Sequence, residues 1–115
     1  MIASNVSVRA MALDSEAAFQ SRALEVGISS ADVQALKTGG INSYSRYAFC
    51  CAYQPGSGNE DVLFDYLESI LGAKPAGADA SNYRRLFFES HALALKDLES
   101  RLNRSDASEL KILQI

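Results

Sequence analysis

Apolar residues recur along the chain at three- and four-residue intervals, which places their side chains on one face of an α-helix. Residues that cap or stop helices separate these stretches about every 12 to 20 residues. After residue 12, no pair of segments alternates between apolar and polar positions as paired strands would. The pattern therefore predicts an all-α protein.

Five helices are predicted, and each of the first four has a capping residue before it and a glycine or proline stop after it or near its end. Their expected ranges are 15–26, 30–37, 42 or 43 to 53, 60–71 and 81–103. The residues GAKPAGADA, rich in alanine, glycine and proline, are expected to form a linker before the last helix. A further helix is expected to begin at Asp106 in the tail.

The positions of the apolar residues predict how these helices pack. In the third helix, Tyr44 and Tyr47 share one face and Phe49 lies on another, which predicts a central helix buried on more than one side. The fifth helix carries a broad apolar stripe: Tyr83, Leu86, Phe87, Leu93, Ala94, Leu98 and Leu102. We expect a compact bundle of four to five helices over residues 13–115, a long C-terminal helix, and a flexible tail at residues 1–12.

Composition narrows the range of functions. The chain has 11 basic and 14 acidic side chains and a net charge of −3, whereas nucleic-acid-binding domains usually carry a basic excess. No apolar run is long enough to span a membrane. The adjacent Cys50 and Cys51 are expected to be reduced, because a disulfide between neighbours is strained, and this favours an intracellular compartment.

Catalytic and cofactor motifs are missing from the sequence. It contains no phosphate-binding loop, dinucleotide fingerprint, nucleophile elbow or cluster of metal ligands. The single histidine, His91, is interpreted as a surface or half-buried helix residue, and both cysteines as small apolar residues of a buried helix. We therefore expect no enzymatic activity, no cofactor and no metal.

The residues GISSADVQALKTGGINSYSRYAF, 27–49, are the most informative segment. Two short helices flank a Gly-Gly turn, and the segment resembles helix-hairpin-helix and SAM-like modules through Leu36, Gly40 and Ile41. In the nucleic-acid-binding members, the amides of the turn hold a phosphate with the help of nearby basic residues. The resemblance implies a phosphate site at Gly39, Gly40, Asn42, Lys37 and Arg46, whereas the alternative is plain helix packing.

A second resemblance covers residues 15–104. The stretches LKTGGINSYSRYAF, followed by a Pro-Gly loop, and YRRLFFESHALALKDLESRLNR are similar to repeated open reading frames of dinoflagellate algal genomes. That family has no known function, so the resemblance implies a helical module and no activity.

The leading functional hypothesis is a non-catalytic protein–protein interaction module or a structural subunit of a larger assembly. It rests on the missing catalytic motifs, the apolar C-terminus and the long apolar helix, which offers a groove or a face for a homo-oligomer. The alternative is an accessory domain that binds nucleic acid through the Gly-Gly turn together with Arg84 and Arg85. Those two arginines have a simpler interpretation as a solvated helix face on which Arg85 pairs with Glu89.

Overall fold

The computed structural model describes residues 13–56 and 59–113, with side chains described as far as residue 102. Five helices lie within these ranges: α1 (Glu16–Val26), α2 (Ser30–Thr38), α3 (Tyr44–Ala48), α4 (Asp61–Leu71) and α5 (Ala78–Leu113). These residues contain no β-strand, and the helices form a compact all-α bundle with a long C-terminal helix, as predicted. The predicted N-terminal tail, residues 1–12, lies outside the described residues.

Helices α1 and α2 begin and end where their capping residues predict. The Ser15 hydroxyl accepts a hydrogen bond of 3.1 Å from the amide of Ala18, which satisfies a donor in the first turn of α1. Ser29 caps α2 in the same way. Gly27, with φ of 109°, ends α1 in the left-handed region that glycine adopts without steric cost.

Helix α3 is much shorter than predicted. It begins after Ser43, whose hydroxyl accepts a hydrogen bond from the amide of Arg46, and it ends at Ala48 instead of Tyr53. Of the five residues that follow, all but Ala52 are aromatic or cysteine, which have below-average helix propensity and stabilise a further turn poorly. Because the helix ends at Ala48, the chain can turn and place Tyr53 in the core, where its ring lies 5.5 Å from that of Phe87.

Helix α4 begins close to the predicted position, and α5 is longer at both ends than predicted. The Asn59 side chain accepts a hydrogen bond of 2.9 Å from the amide of Asp61 at the start of α4. Helix α5 begins at Ala78 within the predicted linker, and Asp79 in its first turn suits the positive end of the helix dipole. It continues without a break to Leu113, since no glycine or proline interrupts residues 103–113.

The core forms where α1, α3 and α5 meet. The Tyr47 ring of α3 lies edge-on to Phe19 of α1 at 6.0 Å and to Phe87 of α5 at 5.3 Å. All three side chains are fully buried, with Leu63 of α4 in the same cluster. Such edge-to-face contacts suit the quadrupoles of aromatic rings and help to hold the three helices together.

The apolar stripe of α5 is buried only in part. Tyr83, Leu86, Phe87 and Ala94 lie in the core, and Ala94 is the last buried residue of the helix whose side chain is described. Leu93, Leu98 and Leu102 were predicted to share that stripe, but they are exposed. Leu93 precedes the buried Ala94 and points to a different side of the helix, whereas Leu98 and Leu102 lie beyond Ala94. No helix in the described part of the chain is both long and apolar enough to cross a lipid bilayer.

Candidate interaction surface

The Gly-Gly turn between α2 and α3 closes the end of α2 with its own amides. Gly40 has φ of 94°, and its N–H donates to the carbonyl of Lys37 at 3.0 Å. The N–H of Ile41 donates to the carbonyl of Leu36 at 2.8 Å, which completes a Schellman motif. The N–H of Gly39 also donates to a carbonyl of α2. These three amides are therefore engaged within the chain.

Gly39 serves close packing. Its backbone is in an ordinary conformation, with φ of −80°. A Cβ atom added there would lie 3.1 Å from side-chain carbons of Ile70, tighter than an ordinary contact. The turn thus lies directly against α4, as the packing interpretation of this segment requires.

A groove of about 360 Å³ opens beside this turn. Its walls come from the turn, from α3 with the residues that follow it, and from Tyr66 of α4: Gly39, Gly40, Ile41, Ser45, Arg46, Phe49, Cys50 and Tyr66. The structure thus brings together three of the predicted site residues, Gly39, Gly40 and Arg46. Asn42 is half-buried and lies outside the groove lining.

Arg46 differs from the other predicted basic residues, because it is exposed and forms no ion pair with any residue whose side chain is described. Lys37 lies 3.3 Å from a carboxylate oxygen of Glu16, so its charge is partly neutralised. Arg46 is therefore the one cation of the predicted set whose charge is not balanced by an acidic neighbour among these residues.

Arg84 is held by a neighbouring helix. Its guanidinium donates two hydrogen bonds, of 2.9 and 2.7 Å, to the carboxylate of Glu60 and lies 5.6 Å from the centre of the Phe64 ring. This bidentate bonding lowers the pKa of the Glu60 carboxyl. To contact a phosphate, the Arg84 guanidinium would have to break its hydrogen bonds to Glu60.

Arg85 pairs with Glu89 at 3.1 Å, the i,i+4 contact that the sequence predicts. Glu89 also accepts two hydrogen bonds of 2.8 Å from Arg22 of α1. The three side chains tie α1 to α5 on the surface. The predicted site residues therefore fall into two separate regions, one at the turn and one on α5.

Large apolar side chains remain exposed along one side of α5. Phe88, Leu95, Leu98 and Leu102 are exposed by 40 to 52%. With the half-buried His91 they follow the alternating three- and four-residue spacing of a coiled-coil seam. We call the residues Phe88, His91, Leu95, Leu98 and Leu102 the α5 stripe.

Phe49 extends this surface onto the globular part. It follows α3 directly, its side chain is 63% exposed, and its ring lies 6.3 Å from that of His91. A second groove, of about 280 Å³, has Phe49 on one side and Ala94 and Leu98 on the other. Its remaining lining residues are Leu13, Asp14, Ser45, Asp97 and Arg101. The exposed apolar surface is thus continuous from Phe49 to the α5 stripe.

The thiol of Cys50 is poorly suited to nucleophilic chemistry. Cys50 and Cys51 are both free and half-buried. Burial, with Cys51 as neighbour, raises the pKa of the Cys50 thiol well above its usual range, so the thiol is protonated at neutral pH. Within the described residues, no three His, Cys, Asp or Glu side chains are grouped to hold a metal ion.

Comparison of the chain with protein-family models, with curated proteins and with solved structures found no match in any of the three.

Sequence reasoning missed Phe49 as a surface residue. The prediction of a helix to Tyr53 placed Phe49 on a buried face of α3, whereas the helix ends one residue before it. An aromatic residue near a proline-containing loop was the available signal, and it does not distinguish a buried ring from an exposed one.

Proposed function

We propose that this protein is a non-catalytic protein–protein interaction module, and that the α5 stripe with Phe49 is its binding surface. The observation that carries the proposal is the row of four exposed large apolar side chains on the outer part of α5. Monomeric proteins rarely leave such side chains exposed together, and contiguous apolar patches commonly mark interaction sites.

The spacing of the stripe indicates the kind of partner it accepts. Side chains at intervals of three and four residues along a helix form a straight apolar seam, which packs against the apolar face of another helix. Burial of the exposed half of each large side chain contributes about 1 kcal/mol. Four such residues and Phe49 together offset part of the entropic cost of association, so we expect moderate affinity.

An accessory domain that binds nucleic acid is the second candidate. The unpaired Arg46 and the exposed ring of Phe49 line one groove, and an arginine beside an aromatic ring suits a stacked base and its phosphate. Against it, the amides of the turn are engaged in the end of α2, and Lys37 and Arg84 have carboxylate partners.

The test of the interaction module compares binding partners across three forms of the full chain. Tagged wild type, the variant Leu95→Asp/Leu98→Asp and the control Leu24→Asp are used to capture proteins from the expressing cells, with quantitative mass spectrometry. Leu24 is half-exposed on α1 and is not a residue of the stripe, so its substitution introduces the same kind of charge at another exposed leucine. We expect a protein that wild type and Leu24→Asp retain and the double variant loses. Equal retention by all three forms contradicts the assignment of this surface.

The test of the second candidate is a fluorescence-anisotropy titration with labelled single- and double-stranded oligonucleotides at about 50 and 200 mM salt. Binding that weakens steeply with salt and is lost in Arg46→Gln supports the nucleic-acid function. The absence of binding at roughly 100 μM protein rejects it, since non-specific binding is ordinarily tighter than that.

A further inference from the structure

We propose that the α5 stripe binds the α5 stripe of a second copy of this chain, as an antiparallel helix pair in which Arg85 faces Glu99 of the second copy. This inference rests on the proposed function, because it names the partner of the same surface.

The spacing makes the stripe suited to pack on itself. Phe88, Leu95 and Leu102 occupy the a positions of a heptad and His91 and Leu98 the d positions, over about 21 Å of helix. An antiparallel pair related by a two-fold axis brings a positions of one helix against d positions of the other. With the axis passing near Ala92 and Leu93, Phe88 packs on Leu98 of the second copy and His91 packs on Leu95, whereas Leu102 lies at the end of the pair, opposite Arg84.

The charges beside the stripe match this arrangement. Arg85, Ala92 and Glu99 occupy the e positions, along the edge of the stripe that faces away from the core. In the same antiparallel register, Ala92 meets Ala92 of the second copy and Arg85 meets Glu99, so two opposite-charge pairs form and no like charges face each other. Arg85 is free to take part, since its side chain is 66% exposed and held only by its surface contact with Glu89.

A parallel pairing lacks this match. With the two helices in register, Arg85 lies beside Ala80 of the second copy and Glu99 beside Ala94, because e positions then face g positions. Neither charged residue gains an opposite charge. The charges at these two positions therefore favour the antiparallel pair.

The apolar area of the stripe determines how tightly two copies are expected to bind. Four side chains that expose about half of their surface offer on the order of 400 Å² of apolar area per copy, or about 800 Å² for the pair, which is below the roughly 1,000 Å² that a stable specific interface buries. We therefore expect a weak dimer, with a dissociation constant on the order of 10 to 100 μM.

The experiment measures self-association of the full chain by sedimentation equilibrium at low salt. Wild type is compared with Arg85→Glu, with Glu99→Arg, with an equimolar mixture of these two variants, and with the control Lys96→Glu. The control changes the charge as much as Arg85→Glu does, at a position on α5 outside the stripe and its e positions. Circular dichroism spectra and urea unfolding confirm that each variant is folded.

We expect each reversed variant to dimerise about tenfold more weakly, since both attractive pairs become repulsive. The mixture is expected to associate as well as wild type, because the heterodimer restores both opposite-charge pairs. Lys96→Glu is expected to leave dimerisation within about twofold of wild type.

Two outcomes overturn the proposal: a wild-type chain that stays monomeric at roughly 1 mM, or a dimer whose strength the mixture fails to restore. Neither outcome decides the proposed function, because a different protein can still depend on Leu95 and Leu98 in the capture experiment. Conversely, equal capture of proteins by all three forms in that experiment contradicts the proposed function but does not change what sedimentation shows about the dimer.

Discussion

The hydroxyl of Tyr47 donates a hydrogen bond of 2.9 Å to the main-chain carbonyl oxygen of Tyr83, and this bond joins α3 to α5 at the centre of the core. Both side chains are almost completely shielded from solvent. The ring of Tyr47 fills space between α1 and α5, and its hydroxyl finds an acceptor on a helix that already satisfies its own backbone. The five-residue helix α3 is thus held mainly by tertiary contacts.

Removal of this hydroxyl tests how much the bond contributes. Tyr47→Phe keeps both edge-to-face ring contacts and loses only the hydrogen bond, so the free energy of unfolding is expected to fall by about 1 kcal/mol. Urea denaturation followed by circular dichroism measures the change. Tyr66→Phe is the control, since Tyr66 is half-buried and its hydroxyl makes no hydrogen bond to a described residue. A loss equal in both variants contradicts the assigned role.

High pH is expected to destabilise the protein through its buried tyrosines. Burial raises the pKa of Tyr83 above its usual value of 10.0, and its hydrogen bond to the Asp32 carboxylate raises it further. The folded state binds the proton of the Tyr83 hydroxyl more tightly than the unfolded state does. The stability that this proton provides is therefore fully present below pH 10 and is lost as pH rises above that value. The free energy of unfolding is then expected to fall by up to about 1.4 kcal/mol per pH unit for each such tyrosine.

The variant Tyr83→Phe isolates this contribution. Its unfolding free energy, measured in urea between about pH 8 and 11, is expected to fall less steeply with pH than that of wild type. Tyr47 still titrates in the variant, because burial raises its pKa as well. Parallel curves for the two proteins would rule out a role for the Tyr83 hydroxyl.

The Arg22–Glu89 contact predicts a loss of stability in acid. Bidentate hydrogen bonds from Arg22 are the main cause of the lowered pKa of the Glu89 carboxyl, and Arg85 adds to it. A carboxyl with a lowered folded-state pKa stabilises the protein above its unfolded-state value of about 4.5, and this stability is lost as pH falls through the folded-state value.

Glu89→Gln is therefore expected to reduce the free energy of unfolding by about 0.5 to 1 kcal/mol at pH 7, a range that allows for solvent screening of this one-third exposed side chain. The difference from wild type is expected to shrink as pH falls below 4.5. Denaturation curves at several pH values measure it. Glu25→Gln is the control, since Glu25 makes only a 3.8 Å contact with Arg22.

Two glycines with positive φ are expected to differ in their tolerance of alanine. At Gly27, φ is 109° and an added Cβ would lie 2.7 Å from the Asn82 side chain of α5. At Gly40, φ is 94° and the added atom would meet nothing within 4 Å. Gly40→Ala then carries only the backbone strain, about 1 kcal/mol, whereas Gly27→Ala carries that strain and must also displace the end of the Asn82 side chain, so it is expected to lose more. Thermal or urea unfolding compares the two variants, and equal losses would show that the contact with Asn82 is readily relieved.

Local sequence was enough to predict the class of fold and most helix boundaries. The caps at Ser15 and Ser29 and the stop at Gly27 act through hydrogen bonds to residues no more than five positions away, so the residues themselves indicate them. The Arg85–Glu89 pair was predictable for the same reason, because one turn of helix separates its members.

Tertiary structure decided the features that matter most for function. Glu60 lies 24 positions from Arg84, and Glu89 lies 67 positions from Arg22, so no local pattern indicates either pair. Leu86 and Leu98 were predicted to share one stripe, but only Leu86 is buried, and Ala94 is the last buried residue of α5 among those whose side chains are described. A helical pattern identifies which residues share a face, whereas their burial depends on how far the other helices extend along it.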